Sequence, residues 1–172
     1  MFNEVELHGV CKRLGEQITK DYEGKDLLIV GILNGAIVFV TDLMREIDRQ
    51  INIDFMSVSS YGSGTTSSGT IHVAKDLNSD IAGRNVLIVE DILDTGNTLH
   101  QLTNMLKERN PASLKICVLL DKPARREQEI YADYVGYTIP DAFVVGYGLD
   151  YAEEYRNLPY IGVLSPSVYS HE

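Results

Sequence analysis

One segment carries most of the information about the architecture of this 172-residue chain: Val86-Leu87-Ile88-Val89-Glu90-Asp91-Ile92-Leu93-Asp94-Thr95-Gly96-Asn97-Thr98-Leu99. Four apolar residues lead into two adjacent acids, a third acid, a turn of Thr and Gly, and then a helical pattern. A short continuous apolar run is typical of a strand that is buried on both faces of a parallel sheet. Such a strand would deliver its acids to its carboxyl end, which is where open α/β sheets bind ligands.

The flanking sequence repeats this alternation of strands and helices. Residues 27–33 and 113–120 are further apolar runs, and residues 51–55 alternate with period two, so all three are predicted strands. Apolar residues at helical spacing predict three helices, on Leu7, Val10, Cys11, Leu14 and Ile18, on Ile37, Val40, Leu43, Met44 and Ile47, and on Leu99, Leu102, Met105 and Leu106. With no visible repeat or linker, residues 1–172 are expected to form a single α/β domain with a mostly parallel central sheet flanked by helices.

The polar residues of the opening segment indicate the kind of ligand. Glu90 and Asp91 would repel each other unless Mg²⁺ or bound hydroxyl groups lie between them. Residues 95–98 would stand at a helix N-terminus, where free backbone N–H groups and the helix dipole favour a phosphate. Gly96 would let the backbone turn tightly and approach the ligand. A diol or metal beside a phosphate describes a phosphorylated ribose.

The same segment resembles the phosphoribosyl-pyrophosphate motif of the type I phosphoribosyltransferases, and the resemblance covers nearly the whole chain. Among these enzymes the chain is similar to the hypoxanthine-guanine phosphoribosyltransferases. The resemblance implies the type I fold with a small hood region, and transfer of the 5-phosphoribosyl group from phosphoribosyl pyrophosphate to N9 of hypoxanthine or guanine. The products would be IMP or GMP, the cofactor Mg²⁺, and the assembly a homodimer or homotetramer.

The resemblance also implies roles for the residues around the phosphoribosyl group. Glu90 and Asp91 would hold the ribose hydroxyls and the Mg²⁺ environment, and Asp94 would be the general base at the purine N7. The remaining phosphoribosyl contacts would come from Thr95, Gly96, Asn97 and Thr98.

Further matches lie outside the central segment. Lys122 would donate to the purine O6, Phe143 would stack on the base opposite Ile92, and the backbone of Val144 would bind it. Asp150 would lie near a second Mg²⁺, and Arg156 near the departing pyrophosphate.

Two loops complete the resemblance. Ser60 and Tyr61 match the Ser-Tyr pair of a flexible lid that excludes water from the reaction. Leu33-Asn34-Gly35 matches the pyrophosphate-binding loop, in which many relatives carry Lys where this chain has the uncharged Asn34. Because such a loop acts largely through its backbone, the change should alter affinity more than activity. The sequence leaves open whether the peptide between Leu33 and Asn34 is cis.

Composition limits the partners. The net charge is −10, which should repel nucleic acid and anionic lipid. The N-terminus has neither a basic nor an apolar signal region, and no segment approaches the ~18 apolar residues of a membrane span. Cys11 and Cys117 are read as reduced core thiols. We therefore expect a cytoplasmic protein without nucleic-acid or membrane partners.

Three alternatives stay open from the sequence. The preferred base could be xanthine, because that choice depends on backbone acceptors near the purine 2-position. A non-catalytic regulator of the same fold could bind RNA, although this needs a basic face that a charge of −10 disfavours. A phosphorylated receiver module also has an acidic pocket, but at its first strand and without an Asp94-Thr95-Gly96 turn.

Overall fold

A computed structural model describes residues 1–60 and 70–170 of the chain. Its strands are β1 (Leu28–Leu33), β2 (Asn52–Ser60), β3 (Ile71–Lys75), β4 (Asn85–Leu93), β5 (Ser113–Asp121), β6 (Tyr134–Thr138), β7 (Val144–Val145) and β8 (Gly162–Val163). Its helices are α1 (Glu4–Asp21), α2 (Ile37–Arg45), α3 (Asn97–Lys107) and α4 (Pro166–Tyr169), with a 3₁₀ turn at Pro123–Arg125.

Six strands form one sheet in the order β3-β2-β1-β4-β5-β6. The pairs of β1 with β2, β1 with β4, β4 with β5 and β5 with β6 are parallel, whereas β3 is antiparallel to β2. A separate antiparallel pair, β7 and β8, forms a second small sheet. The predicted mostly parallel sheet is confirmed, and the small second sheet supplies the kind of hood region that we expect.

Each face of the sheet has its own apolar core, which explains the continuous apolar runs. Ile29 of β1 belongs to a cluster with α1 and α2, whereas its neighbours Leu28 and Val30 belong to a cluster with α3 on the other face. Because successive side chains of a strand point to opposite faces, a strand covered on both sides must be apolar at every position.

The predicted helices are present, with one face assigned differently. α1 begins at an Asn3–Glu6 capping box and buries the five predicted residues. In α2, Val40 and Leu43 are buried as predicted, and so is Ile47 just after the helix, but Phe39 is also buried and Ile37 is exposed. The prediction was therefore wrong at Ile37 and missed Phe39, because a short, mostly apolar helix leaves the edges of its buried face poorly defined by sequence.

β4 is longer than its apolar core. The sequence indicates a strand that ends at Val89, followed by an acidic turn, but β4 continues to Leu93. Its acidic half stays in the sheet because Glu90 pairs with Val118 and Leu93 with Asp121 of β5. Strand β3 was not predicted either, because it is short and half-exposed.

Both cysteines are free and buried, as predicted. Burial raises the pKa of the Cys11 thiol to about 11, so it stays protonated at neutral pH. Among the residues that the structure describes, no helix has both the length and the hydropathy needed to cross a membrane.

Two glycines of α1 offer a matched test of how closely α1 and α2 approach. A Cβ added at Gly15 would come within 2.5 Å of the Glu46 carbonyl oxygen, whereas one added at Gly9 would meet nothing within 4 Å. We expect Gly15→Ala to lower the free energy of unfolding by about 1–3 kcal/mol through overpacking. Gly9→Ala should raise it by about 0.5–1 kcal/mol, because Ala has the higher helix propensity. Urea denaturation measures both, and changes of the same sign would contradict the packing.

Candidate active site

The site lies where β1 and β4 separate. Their pairing runs from Leu28–Val86 to Gly31–Val89 and stops there, whereas β1 continues to pair with β2 and β4 with β5. After β1 the chain continues to β2 on one side of this pair, and after β4 it continues to β5 on the other side. The gap between β1 and β4 is therefore the topological switch point of an open α/β sheet, where ligands usually bind. A crevice therefore opens at the carboxyl ends of these two strands.

Two cavities adjoin in this crevice. The aromatic cavity has a volume of about 660 Å³ and contains Phe143 and Tyr169 in its wall, and the polar cavity has about 440 Å³ and contains Glu90 and the Thr95–Gly96 turn. Four residues line both cavities: Asp91, Ile92, Asp94 and Asp150. A ligand with two chemically different halves would therefore join them beside these three carboxylates.

Glu90 and Asp91 follow the point where β4 loses contact with β1. The Asp91 amide donates to Glu90 Oε1 at 3.0 Å, and the Ile92 amide donates to Asp91 Oδ1 at 2.6 Å. Desolvation, with the neighbouring Asp91 carboxylate, raises the pKa of Glu90 well above its ordinary value. Desolvation also raises the pKa of Asp91, although Arg156 opposes this. This concentrated negative charge favours a cation or hydroxyl donors between the two carboxylates.

The loop after β1 packs directly against Asp91. The Leu33–Asn34 peptide, whose configuration the sequence left open, is cis. A Cβ at Gly35 would overlap Asp91 Oδ2, and a Cβ at Gly148 would overlap the Gly35 carbonyl oxygen. The segments that contain Gly148, Gly35 and Asp91 are therefore stacked in that order. Glycine is needed at positions 35 and 148, because a side chain at either one would occupy the space of the next segment.

The turn before α3 forms one wall of the polar cavity. Gly96 has a φ of +84° and offers no capping side chain to α3, while the Asn97 amide donates to Thr95 Oγ1 at 3.3 Å. The first-turn N–H groups of a helix lack partners within the helix, so this terminus suits an anion. Ser60 joins the same wall, with its Oγ 3.3 Å from Thr98 Oγ1.

The junction of the cavities contains an ion pair between the buried Lys122 and the partly exposed Asp94. Lys122 Nζ lies 3.1 Å from Asp94 Oδ2 and 3.9 Å from Asp141 Oδ1, and its side chain is only 7% exposed. The other oxygen of Asp94, Oδ1, is buried without a hydrogen-bond partner. A polar atom left unpaired in this way is costly unless a ligand satisfies it.

The wall of the aromatic cavity comes from three distant segments. The ring of Phe143 stacks with that of Tyr169 at 5.2 Å between centroids and meets Tyr151 edge-on at 5.6 Å. Val144 is buried beside it in β7, and Ile92 contributes an apolar side chain from β4. Such a cavity suits a flat heterocycle.

Arg156 lies at the other end of the site. Its guanidinium Nη2 is 3.3 Å from Asp150 Oδ1 and 3.0 Å from Glu153 Oε1, and its Nη1 donates to the Gly148 carbonyl at 2.9 Å. Its Nε is buried without a partner. Arg156 therefore brings positive charge to the polar cavity, partly neutralised by Asp150.

Comparison with known proteins agrees with this arrangement. The family profile described as "Phosphoribosyl transferase domain" matches residues 5–152. The chain belongs to the phosphoribosyltransferase family. It is 56% identical over 171 residues to a Staphylococcus aureus protein named hypoxanthine-guanine phosphoribosyltransferase, covering 99% of this chain and 96% of that protein.

Solved structures give the same result for the phosphoribosyltransferase fold. A Staphylococcus aureus hypoxanthine phosphoribosyltransferase superposes with a TM-score of 0.96 at 56% identity, covering 99% of this chain and 93% of that one. A Bacillus anthracis hypoxanthine-guanine phosphoribosyltransferase gives 0.92 at 45% identity, covering 96% and 97%.

Some relatives are longer. The chain is 54% identical over 170 residues to the Listeria monocytogenes "Bifunctional protein TilS/HprT", covering 99% of this chain but spanning only 26% of that protein.

The structure brings most predicted site residues of the phosphoribosyltransferase to one crevice. The residues that line one or both cavities are Leu33, Asn34, Gly35, Ser60, Glu90, Asp91, Ile92, Asp94, Thr95, Gly96, Thr98, Lys122, Phe143, Val144, Asp150 and Arg156. Asn97 is the exception, because its side chain pairs with Glu127 and Gln128 outside the cavities. Tyr61 and the rest of residues 61–69, on which the predicted lid depends, lie outside the described residues.

Sequence reasoning missed Asp141 and Tyr169. Asp141 is the second acid at Lys122, and it also accepts from Arg125 Nε at 2.8 Å. Tyr169 covers Phe143 from α4, 26 positions later in the chain. Neither residue stands in a motif, so only the folded arrangement shows their positions.

The raised pKa of Glu90 predicts how stability depends on pH without ligand or metal. A carboxyl whose pKa is higher in the folded than in the unfolded protein destabilises the fold where it is ionised, and this cost disappears as pH falls. Glu90→Gln should therefore raise the free energy of unfolding near pH 8 by about 0.5–2 kcal/mol, with a smaller gain near pH 5. Urea denaturation at both pH values measures the gain. The exposed control Glu16→Gln should change little, and a Glu90→Gln gain that is independent of pH would contradict the assignment.

Proposed function

We propose that this phosphoribosyltransferase moves the 5-phosphoribosyl group from phosphoribosyl pyrophosphate to N9 of hypoxanthine and of guanine. The products are pyrophosphate and IMP or GMP, and the reaction serves purine salvage. The observation that carries the proposal is the junction of an aromatic and a polar cavity at Asp91, Asp94 and Asp150. Full-length similarity to proteins named for this activity supports it. The comparisons do not favour a xanthine-preferring enzyme, an RNA-binding regulator or a receiver module.

The purine occupies the aromatic cavity in this proposal. Phe143 and Ile92 contact the two faces of the purine, and the backbone of Val144 forms hydrogen bonds with its edge. Lys122 donates to the 6-oxo group, and a buried ammonium has no acceptor to meet when adenine presents its 6-amino group instead. Selectivity for 6-oxopurines follows from this donor.

Asp94 acts as the base in this proposal. The bond from the ribose C1′ to pyrophosphate breaks, the purine N9 bonds to C1′, and the N7 proton moves to Asp94. Support comes from Asp94 Oδ1, which is buried and unpaired at the junction of the cavities. Lys122 Nζ lies 3.1 Å from Oδ2 and places a positive charge beside this carboxylate.

The phosphoribosyl pyrophosphate occupies the polar cavity. The N–H groups of residues 95–98 receive the 5-phosphate, and Glu90 and Asp91 accept from the ribose hydroxyls. The loop at Asn34 and the side chain of Arg156 face the pyrophosphate as it leaves. Ser60 borders the phosphate, where it would act with Tyr61 to exclude water.

The acidic residues fit Mg²⁺ as the cofactor. Within the described part of the chain, no three His, Cys, Asp or Glu side chains cluster as a complete metal cage. Mg²⁺ usually takes one or two carboxylates and completes its shell with substrate oxygens and water, which suits Glu90, Asp91 and Asp150. When bound, it would neutralise the charge of the departing pyrophosphate. A homodimer or homotetramer in the cytoplasm is the expected setting.

The decisive experiment measures IMP formation from hypoxanthine and phosphoribosyl pyrophosphate with Mg²⁺, beside reactions with guanine, xanthine and adenine. We expect activity with hypoxanthine and guanine. Asp94→Asn should lower kcat by about 10²–10⁴, because it removes the general base. The exposed control Asp80→Asn should keep full activity. Folded protein that is inactive with every base would overturn the proposed function, and equal kcat in Asp94→Asn would remove the role of Asp94.

Metal dependence provides a separate test. EDTA should lower the rate by at least about 100-fold, because the carboxylates then face the pyrophosphate with no cation between them. Excess Mg²⁺ should restore the rate. An unchanged rate in EDTA would exclude the metal role of Glu90, Asp91 and Asp150.

A further inference from the structure

A short segment, Arg126–Gln128, lies against the turn before α3 on the side away from the polar cavity. We call it the strap. Its residues line neither the aromatic nor the polar cavity, so the strap is placed to act on the turn and not on a ligand. It follows Lys122 by a single 3₁₀ turn.

The guanidinium of Arg126 holds the main chain on both sides of Asp94, through the carbonyl groups of Leu93 and Asp94. Its Nε donates to the Asp94 carbonyl at 3.0 Å, and its Nη2 donates to the Leu93 carbonyl at 3.5 Å. Its Nη1 donates to the Ile130 carbonyl at 2.7 Å, and Asp121 is its counterion. The side chain is only 14% exposed.

The rest of the strap holds the next residues of the turn. The amides of Glu127 and Gln128 donate to the Thr95 carbonyl at 2.9 and 3.2 Å. Asn97 donates to Glu127 Oε2 at 2.6 Å and accepts from Gln128 Nε2 at 2.8 Å. These contacts use carbonyl groups and one side chain, so they leave the N–H groups of the α3 N-terminus available to a phosphate.

The strap also packs tightly against Gly96. A Cβ at Gly96 would lie 3.2 Å from Arg126 Cδ and 3.5 Å from Gln128 Cβ of the strap, and 2.6 Å from Ile130 Cγ2 just beyond it. The turn therefore cannot move away from the cavity without displacing the strap.

We infer that Arg126 is a positioning residue, which fixes the main chain at Leu93 and Asp94 so that the Asp94 carboxylate and the α3 N–H groups face the substrates together. This inference rests on the proposed function. Arg126 suits this role because its planar guanidinium donates hydrogen bonds to several acceptors at fixed angles. A Lys ammonium has the same charge but lacks this planar set of donors. A displacement of about 1 Å at a catalytic group can cost roughly 100-fold in rate.

The test compares Arg126→Lys and Arg126→Gln with the parent protein. Arg126→Lys preserves the charge opposite Asp121, so it keeps the fold testable if Arg126→Gln unfolds. We expect kcat to fall by about 10- to 100-fold and KM for phosphoribosyl pyrophosphate to rise severalfold. KM for hypoxanthine should stay within about twofold, because Lys122 and Phe143 still form the purine cavity.

The matched control is Arg109→Gln, which removes a bidentate Arg–Asp76 pair outside both cavities and should leave all kinetic constants unchanged. Thermal unfolding of every variant separates loss of stability from loss of positioning.

A double-mutant cycle decides whether Arg126 acts through Asp94. In an Asp94→Asn background, Arg126→Lys should lower kcat by less than about twofold, because the base that it positions is already absent. An equal fall in both backgrounds, or a lower melting temperature with unchanged kinetics, would overturn the inference. If the parent protein is active and the Arg126 variants have unchanged kcat and KM, the inference about Arg126 is overturned while the proposed function stands. If the parent protein is inactive, the proposed function itself is overturned.

Discussion

The separation of β1 from β4 is the constraint on which the site depends. Their pairing ends at Gly31–Val89 because the connections from the two strands leave in opposite directions. Beyond that point β4 keeps β5 as its partner on one side and borders the crevice on the other. Its last residues therefore combine the rigidity of a strand with access to a ligand. Glu90 and Asp91 within β4, and Asp94 directly after it, owe their placement to this geometry, because a rigid element holds side chains more accurately than a loop does.

Charge within the crevice is balanced locally. Lys122 pairs with Asp94, Arg156 with Asp150 and Arg125 with Asp141, so each of these cations has a carboxylate partner. In a protein of net charge −10, a strongly anionic substrate cannot depend on these cations alone. For the proposed substrate, the α3 N–H groups and a divalent cation between the carboxylates would be the remaining sources of positive potential. The neutral Asn34 increases this dependence.

Support behind the site comes from segments that are far apart in the sequence. The strap holds the turn before α3, Tyr169 covers Phe143, and Gly35 and Gly148 let two loops approach Asp91. These contacts restrict movement of the groups that meet the substrates. Binding then needs less ordering of the protein, which is the physical basis of preorganisation.

The sequence by itself determined the α/β class, the mostly parallel order of the central strands, and a set of residues most of which the structure places around one crevice. The spacing of apolar residues along the chain distinguishes helices from strands and indicates which of them are buried. Glu90-Asp91 and Asp94-Thr95-Gly96 lie in one contiguous motif, so they can be recognised without knowing the fold. The tertiary structure decided the face of α2, the continuation of β4 to Leu93, and the contacts of Asn97, Arg126 and Tyr169. These features depend on partners that are up to tens of residues away in the sequence. The local sequence does not indicate which distant main-chain group a side chain will contact.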